Sequence, residues 1–413
     1  MDKKGENKMK VTEVYALVNE MHKEFVGNET VVKEDLSNVI DIGKEILGAT
    51  DVDNYVKKLI DKVGKVIFVN RQYAPILPSV LMDGWEYGSI LQKIDCDNPE
   101  AEENPKWGLV DGQRYEQDTF KAPKGVRSKF FNDRTTFQVP ISYTEDQVKE
   151  SFTSPSQLNA FFSMIETKIS NSFSIKYSGL IRATINNFTA ATIYNEFSDV
   201  YTAETHNYNF ADKSGVRAVN LLGMYHAEGF DTEKTLTPQT CLKNLDFLKY
   251  ASYKIMLWSD RMKDMSVLFN IGKKERFTPK DKQHIVLLSE FSRAADVYLQ
   301  SDTFHDELTR LPKHETINFW QGTGTDYGFS STSLIHTASK CVAKGGDSVS
   351  VVETNVPGII GVIFDRDALG VNNIARKTTS HYNANGDFMN FWHKSDAGYF
   401  NDYDENFVVF FVA

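Results

Sequence analysis

Residues 154–195, SPSQLNAFFSMIETKISNSFSIKYSGLIRATINNFTAATIYN, carry the strongest helical pattern in this 413-residue chain. Ser154 is a favoured N-cap, and Pro155 suits the first helical turn. Apolar side chains then recur at spacings of three and four, at Leu158, Phe161, Phe162, Ile165, Ile169 and Phe173. If the pattern is unbroken, it predicts a helix of about 40 residues and ~60 Å. The alternative is two shorter helices with a break near Gly179.

Shorter patterns on both sides of this helix predict an α+β fold. Upstream, we expect three amphipathic helices within residues 11–64 and a short strand at residues 65–69. Downstream, residues 242–258 predict another helix. The predicted downstream strands are residues 267–270, 285–288, 358–364, 388–394, 398–400 and 407–412.

Residues 95–135 have the composition of a polar arm that projects from the body of the protein. They contain three prolines and many charged residues, but also large aromatic side chains. The loose alternation of residues 113–121 predicts a hairpin. A polar arm cannot bury Trp107, Tyr115 and Phe120 in a core of its own. Either the arm folds back on the body, or it docks on a neighbouring molecule.

The composition excludes several classes of protein. Hydrophobic residues make up 41% and charged residues 25% of the chain, which is ordinary for a globular protein. The net charge of −10 argues against a DNA-coating protein, because phosphate binding needs clustered cations. No apolar run approaches the ~20 residues that span a bilayer, and the first ten residues lack a signal-peptide core. The three distant cysteines predict neither a disulfide framework nor a zinc site, and they suit a reducing cytoplasm.

No stretch of the sequence carries a strong catalytic or metal-binding motif. The glycine spacing in residues 322–328 fits a turn better than a phosphate loop. The polar clusters in residues 95–103 and 305–315 lack regular ligand spacing, so we expect solvated charged loops there. Basic and aromatic residues interleave in residues 121–131, which favours an acidic protein surface over nucleic acid as the partner. We therefore expect no catalytic, cofactor-binding or metal site, and no enzyme activity.

Four stretches resemble major capsid proteins of short-tailed phages, including Bacillus podophages with prolate heads. They are residues 39–68 (VIDIGKEILGATDVDNYVKKLIDKVGKVIF), 98–109 (NPEAEENPKWGL), 130–141, and 361–370 (GVIFDRDALG) with the strands that follow. Together they span the chain from about residue 36 to its end. Each stretch is short and has no chemical signature of its own. The order and coverage of the four stretches carry the resemblance.

The resemblance implies the tailed-phage capsid fold first described for the phage Hong Kong ninety-seven. The expected parts are an N-terminal arm with helices at residues 1–90, an extended-loop hairpin at 91–140, a spine helix with the start of the peripheral domain at 141–195, an axial domain at 196–355, and peripheral-domain strands at 356–413. The implied function is a major capsid protein that self-assembles into an icosahedral or prolate head around double-stranded DNA.

The resemblance also implies partners and a location. Copies of the chain are expected to associate in pentamers and hexamers. Scaffolding protein and a portal are expected partners, with a decoration protein as a further candidate. The shell would enclose DNA without sequence-specific binding, would not contact a membrane, and would be assembled in the host cytoplasm before it becomes part of the virion.

Two sets of residues are predicted to serve assembly. The predicted inter-subunit contacts are Trp107, Tyr115, Phe120 and Arg127, because an arm that docks on a neighbour needs aromatic anchors. The predicted hinges are Gly64, Gly88 and Gly179, because a subunit must bend between five-fold and six-fold environments.

Two other functions stay open from the sequence. A shell protein of an encapsulin-like cellular nanocompartment would share the fold, but it would need a surface that docks a cargo enzyme. A cytoplasmic enzyme would have to use the polar cluster in residues 305–315. Electron microscopy separates a shell from an enzyme, because an enzyme would form only a small oligomer.

Overall fold

The structure is a computed structural model that describes part of the chain. The described residues are 77, 80–82, 91–99, 101, 103, 108–113, 125–144, 155–300, 311–318, 320, 334–346, 348–386 and 388–413. The helices and strand predicted within residues 11–69 lie outside these ranges, as do most of the hairpin predicted at 113–121 and the turn at 322–328.

Helices and strands alternate irregularly along the described residues. The helices are α1 (Pro155–Phe197), α2 (Leu221–Ala227), α3 (Leu245–Arg261) and α4 (Ser289–Gln300). The strands before α4 are β1 (Leu81–Met82), β2 (Leu91–Asp95), β3 (Arg127–Phe131), β4 (Arg134–Thr144), β5 (Tyr201–Thr202), β6 (Asn207–Tyr208), β7 (Ala218–Asn220) and β8 (Gln283–Leu288). The strands after α4 are β9 (Glu315–Ile317), β10 (Leu334–Val342), β11 (Val349–Pro357), β12 (Ile359–Asp365), β13 (Leu369–Asn383), β14 (Phe388–Asn401) and β15 (Phe407–Phe411).

Helix α1 is one continuous helix of 43 residues, about 65 Å long. The alternative of two helices with a break near Gly179 is therefore wrong. Between Ile169 and Tyr177 the helix buries a single stripe, at Ile169, Phe173 and Tyr177, as an amphipathic helix does. Beyond Leu180 it is buried on nearly every side. Dense packing around this half offsets the cost of about 1 kcal/mol that one glycine adds to a helix.

Of the described residues, those within 134–179 and 373–397, together with Leu77, form the first of two compact units. Within this unit the sheet contains β13, β14 and β4, paired in that order. Alternate side chains of β14 are buried, from Met389 to Ala397, so one face of the sheet meets the core. Helix α1 packs on this face: the ring of Tyr177 makes an edge contact with Phe137 at 5.6 Å, and its hydroxyl hydrogen-bonds Ser395 Oγ at 2.8 Å.

The second compact unit consists of the described residues within 79–133, 180–372 and 398–413. Its central sheet has five strands in the order β7-β15-β12-β8-β9. Every residue of β12 and β15 is buried, which indicates that helices cover both faces. Phe188 of α1 stacks on Phe407 at 4.1 Å, whereas Trp258 of α3 contacts Phe410 at 6.4 Å. Since residues three apart in a strand point to opposite faces, the sheet lies between α1 and α3.

Most downstream predictions of secondary structure are confirmed. The predicted helix at 242–258 corresponds to α3, and the predicted strands at 285–288, 358–364 and 407–412 correspond to β8, β12 and β15. The two predicted strands at 388–394 and 398–400 are parts of the single strand β14.

The strand predicted at residues 267–270 is wrong, because these residues form a loop. The Asn270 side chain accepts a hydrogen bond from the Lys274 backbone N–H and donates one to the Lys274 carbonyl, both at 2.7 Å. Such local bonds from an asparagine compete with strand pairing. The apolar side chains Val267 and Leu268, which suggested a buried strand, are exposed.

Candidate functional site

Strands β2 and β3 form an antiparallel hairpin in the second unit. Leu91 pairs with Phe131 at one end of the ladder, and Asp95 pairs with Arg127 at the other. Burial alternates along both strands, so the hairpin has an outward side and a side that faces the rest of the second unit. We call the rest of this unit the body. The half-buried, body-facing side chains are Leu91, Lys93, Asp95, Arg127, Lys129 and Phe131.

The outward side of the hairpin exposes large apolar side chains. Ile94 is 68% exposed and Phe130 is 63% exposed. They are diagonal neighbours across the two strands, which brings an aromatic side chain within reach of its partner. Val126, Leu109 and Val110 are also exposed on the segment that joins the strands. The neighbouring side chains of Ile94 and Phe130 indicate an interaction surface more strongly than scattered apolar residues do.

Charged groups fill the space beneath the hairpin. We call them the charged cluster, and its members are Lys93, Asp95, Asp97, Arg127, Lys129, Arg276, Asp402, Asp404 and Glu405. Four members are cations and five are anions, so the charges nearly balance.

The two lysines of the hairpin share one buried carboxylate. Lys93 Nζ donates to Asp402 Oδ2 at 2.8 Å, and Lys129 Nζ donates to Asp402 Oδ1 at 2.7 Å. Lys93 also bonds Glu405 Oε1 at 2.6 Å, and Lys129 bonds Asp404 Oδ2 at 2.6 Å. The Asp402 side chain is only 2% exposed, so its charge depends on these two cations.

The pKa values follow from this arrangement. Burial acts to raise the pKa of Asp402, but Lys93 and Lys129 outweigh burial and hold this pKa below its ordinary value. Burial likewise acts to lower the pKa of Lys93, but Asp402 and Glu405 raise it above its ordinary value. For Glu405 burial is the larger effect, so its pKa is raised although Lys93 acts to lower it. The Asp402 carboxylate and the Lys93 ammonium group are therefore charged at neutral pH.

Two arginines close the cluster. Arg276 forms an ion pair with Asp95 of β2, and its Nε lies 3.4 Å from Glu405 Oε2. Arg127 of β3 pairs with Asp97 and lies 3.7 Å from Asp95. Burial opposes the charge of Asp95, but Arg276 and Arg127 hold its pKa below the ordinary value.

The turn between β14 and β15 positions the three carboxylates of the body. The backbone N–H of Asp402 donates to the Ala368 carbonyl at 2.7 Å, and the N–H of Glu405 donates to the Asp402 carbonyl at 3.2 Å. Gly272 supports the turn by donating its N–H to the Tyr403 carbonyl at 2.9 Å. A Cβ at Gly272 would collide with the Asp404 carboxylate, so only glycine allows this close approach.

The ion pairs of the charged cluster attach the hairpin to the rest of the second unit. Its carboxylates already accept hydrogen bonds from lysine and arginine, and among the described residues no group of three His, Cys, Asp or Glu side chains could hold a metal ion. In the polar stretch at 305–315, His314 bonds Ser292 Oγ at 2.9 Å and the Pro312 carbonyl at 2.8 Å, and residues 305–310 lie outside the described residues.

The structure describes two of the residues predicted to serve assembly. Arg127 belongs to the charged cluster, where it pairs with carboxylates of its own chain. Gly179 lies inside α1, at the boundary between the two compact units. The predicted contacts Trp107, Tyr115 and Phe120 and the predicted hinges Gly64 and Gly88 lie outside the described residues.

Sequence reasoning missed most of the charged cluster and the exposed hairpin side. The run of Asp402, Asp404 and Glu405 resembles any solvated turn, and nothing local connects it to Lys93, which is 309 positions away. The signal that could have found the hairpin is the alternation of apolar and charged residues in residues 91–95 and 127–131.

Comparison with known protein families decides what this chain is. A family model described as Phi29-like phage major capsid protein matches residues 14–411. The chain belongs to this family. It is a capsid-forming protein of a phage, and the predicted α+β capsid fold is confirmed. Because this family consists of phage capsid proteins, the match favours a phage shell over the shell of a cellular nanocompartment.

Solved structures similar to the capsid protein come from phage particles. The capsid structure of Staphylococcus phage Andhra matches with 10% identity and a TM-score of 0.45, over 81% of this chain and 83% of that chain. A structure of the head fiber and inner core protein gp22 of bacteriophage P68 matches with 10% identity and a TM-score of 0.49, over 83% and 86% of the two chains. The capsid structure of the cyanophage P-SCSP1u matches with 11% identity and a TM-score of 0.41, over 81% and 86%.

Two further findings are negative. No curated protein sequence matches the capsid protein. None of the described helices combines the length and the apolar character that crossing a bilayer requires.

Proposed function

We propose that the capsid protein assembles through the outward side of hairpin β2–β3, which docks on a neighbouring copy. The observation that carries the proposal is the exposure of Ile94 and Phe130 on the same side of a hairpin whose other side is held to the body by the charged cluster. Burying one such side chain stabilises a contact by ~2 kcal/mol. A contact of this size is modest, but closed symmetry repeats it around every ring of the shell.

The aromatic residues predicted from the sequence extend the same surface. Trp107, Tyr115 and Phe120 belong to the segment that joins β2 and β3, which also carries the exposed Leu109 and Val110. We propose that these aromatic side chains anchor the segment on the neighbour. Arg127 stays a predicted contact residue, although within the single chain its guanidinium pairs with Asp97.

The partners and the setting of assembly follow from the capsid role. We propose that copies form pentamers and hexamers of an icosahedral or prolate head, guided by scaffolding protein, closed by a portal and open to a decoration protein. The acidic chain suits a wall that encloses DNA without sequence-specific binding. Assembly takes place in the host cytoplasm, and the role is structural, without catalysis.

The proposed hinges let one subunit fit five-fold and six-fold environments. Gly179 is the hinge for which the structure offers support, because the boundary between the two compact units falls directly after it in α1. A glycine inside a helix weakens it locally, which favours bending at that position. Gly64 and Gly88 stay predictions from the sequence, as do the five domain boundaries.

The test is particle formation by the purified chain. Replacing Ile94 and Phe130 together by serine (Ile94→Ser/Phe130→Ser) should leave a folded subunit that no longer forms shells in electron micrographs. The matched control is Gln92→Ala/Ser128→Ala, which removes the 3.0 Å hydrogen bond on the same side of the hairpin but keeps the apolar pair. The control should still assemble. Normal shells from the serine variant would refute the proposal.

A further inference from the structure

Two kinds of contact attach the hairpin to the second unit, and they lie at opposite ends of it. At the base, Phe131 pairs with Leu91 across the strands, and its ring centroid lies 5.1 Å from that of Phe400. Just past β3, the Tyr399 backbone N–H donates to the Asp133 carbonyl at 3.1 Å. Apolar packing and a backbone bond therefore hold the base.

Further from the base, every body-facing side chain of the hairpin is charged. Lys93 and Lys129 bond Asp402, and Asp95 pairs with Arg276. Arg127 bonds carboxylates of the hairpin itself. The outer part of the hairpin is thus attached to the body by ion pairs.

We infer that the charged cluster is an ionic latch, which fixes the hairpin against the body when closed and lets it swing about the Phe131–Phe400 contact when open. The two lysines make the closed state sensitive to the loss or screening of their charges. Lys93 and Lys129 are directly opposite each other in the ladder, and like charges in that position repel. The hairpin tolerates this pair because each lysine bonds a different oxygen of Asp402.

The buried carboxylate favours opening whenever its cations are lost. A closed hairpin without the lysine charges would leave Asp402 buried and uncompensated. In the open position water reaches Asp402 and hydrates it, so the open position becomes the more stable one. Removing the lysine charges should therefore move the hairpin and leave the fold of the body intact.

Salt acts on the two ends of the hairpin differently. Asp402 is 2% exposed, whereas the side chains of Lys93 and Lys129 are 25% and 38% exposed, so dissolved ions reach these ion pairs from the lysine side. At about 1 M salt the screening length falls to about 3 Å, which is comparable to the length of the ion pairs. The apolar contact between Phe131 and Phe400 has no charge to screen. Salt should open the outer end while the base stays attached.

The state of the latch determines how the outward side of the hairpin is positioned relative to a neighbouring subunit. A closed latch fixes the direction in which Ile94 and Phe130 face, whereas an open latch lets the same side meet neighbours at different distances. Subunits in five-fold and six-fold rings need such differences. This use of the latch rests on the proposed function, whereas the latch itself is a property of the single chain.

The chain offers a natural position for a distance label on the hairpin. Cys96 directly follows β2 and is exposed, whereas Cys241 and Cys341 are buried. Burial raises the pKa of Cys241 to about 12 and that of Cys341 to about 11, so neither forms a reactive thiolate at neutral pH. A second spin label at Val297→Cys, a residue of α4 that is 65% exposed, gives a reference point on the body of the same unit.

The experiment is a pulsed electron-spin distance measurement on the full chain, diluted with unlabelled protein. The doubly labelled chain with both lysines intact should show one distance at low salt and a second, longer distance at about 1 M NaCl. Lys93→Met/Lys129→Met should show the longer distance at low salt, with the ratio of open to closed shifted by roughly 100-fold. The control Lys213→Met, which removes a surface ion pair with Asp199 at 3.5 Å, should keep the wild-type distance.

The inference is overturned if either the double variant or high salt leaves the distance unchanged. Should the double variant not fold, Lys129→Met alone must open at lower salt than the wild type, and an unchanged salt midpoint overturns the inference equally. The result is independent of the assembly test, because the distance is measured within one chain. Failure of the Ile94→Ser/Phe130→Ser experiment would therefore leave the latch standing, and the reverse also holds.

Discussion

Asp402→Asn is the substitution whose consequence can be worked out most fully. The carboxylate accepts one charge-assisted hydrogen bond from Lys93 and one from Lys129, and its side chain is 2% exposed. A bond to a charged group contributes about 1.5 kcal/mol or more. The asparagine keeps one oxygen, which can accept a hydrogen bond from one lysine. Its NH2 group would place N–H donors against the ammonium group of the other lysine. Because the lysines are partly hydrated, we expect a loss of about 2–3 kcal/mol in the free energy of unfolding.

The pH dependence of the free energy of unfolding provides a second test of the role of Asp402. The pKa of Asp402 is held below its ordinary value of 3.8. A lowered pKa means that the contribution of the ion pairs is complete above pH 3.8 and is lost as the pH falls through the lower, folded-state value. The wild type should therefore lose stability in this acid range, whereas Asp402→Asn should lose less.

The assay is urea unfolding of the full chain at several pH values, followed by circular dichroism. Asp199→Asn is the matched control, because Asp199 pairs with Lys213 at 3.5 Å on the surface and should cost under about 0.5 kcal/mol. If Asp402→Asn stays within about 0.5 kcal/mol of the wild type at pH 7, the charged cluster does not hold the hairpin as argued.

Two more predictions concern the cores of the two units. Phe188→Ala removes a fully buried ring that stacks on Phe407 at 4.1 Å, so it should cost about 3–5 kcal/mol in thermal or chemical unfolding, whereas Phe188→Leu should cost clearly less. His393 is fully buried, and burial lowers its pKa to about 4 from an ordinary 6.5. The fold holds the neutral ring, so stability should fall by up to about 3 kcal/mol as the pH drops from 6.5 to 4. His393→Gln should flatten this part of the pH profile, and an unchanged profile would contradict the assignment.

The sequence predicted those features of the fold that local patterns specify. The spacing of apolar residues after Ser154 indicated α1, and the continuous apolar run at residues 358–364 indicated β12, because each pattern reports the burial of its own element. The continuity of α1 through Gly179 could not be decided in the same way. One glycine costs a helix only about 1 kcal/mol, and the packing of the following residues, which a local pattern does not report, outweighs that cost.

The candidate site escaped prediction because its parts are far apart in the chain. Lys93 and Asp402 are separated by 309 positions, and each lies in a stretch that is typical of a solvated charged surface. The strand predicted at residues 267–270 failed for a related reason. Hydrophobicity alone predicted burial, whereas Asn270 bonds Lys274 and leaves Val267 and Leu268 exposed.

The most direct test of the account is electron microscopy of a chain in which residues 98–125 are replaced by a short linker. Such a linker can span the gap, because Asp95 and Arg127 are paired at the end of the hairpin ladder. We predict a folded subunit that forms no shells, while the intact chain forms them. Normal shells from the shortened chain would show that this segment is not what joins one subunit to the next.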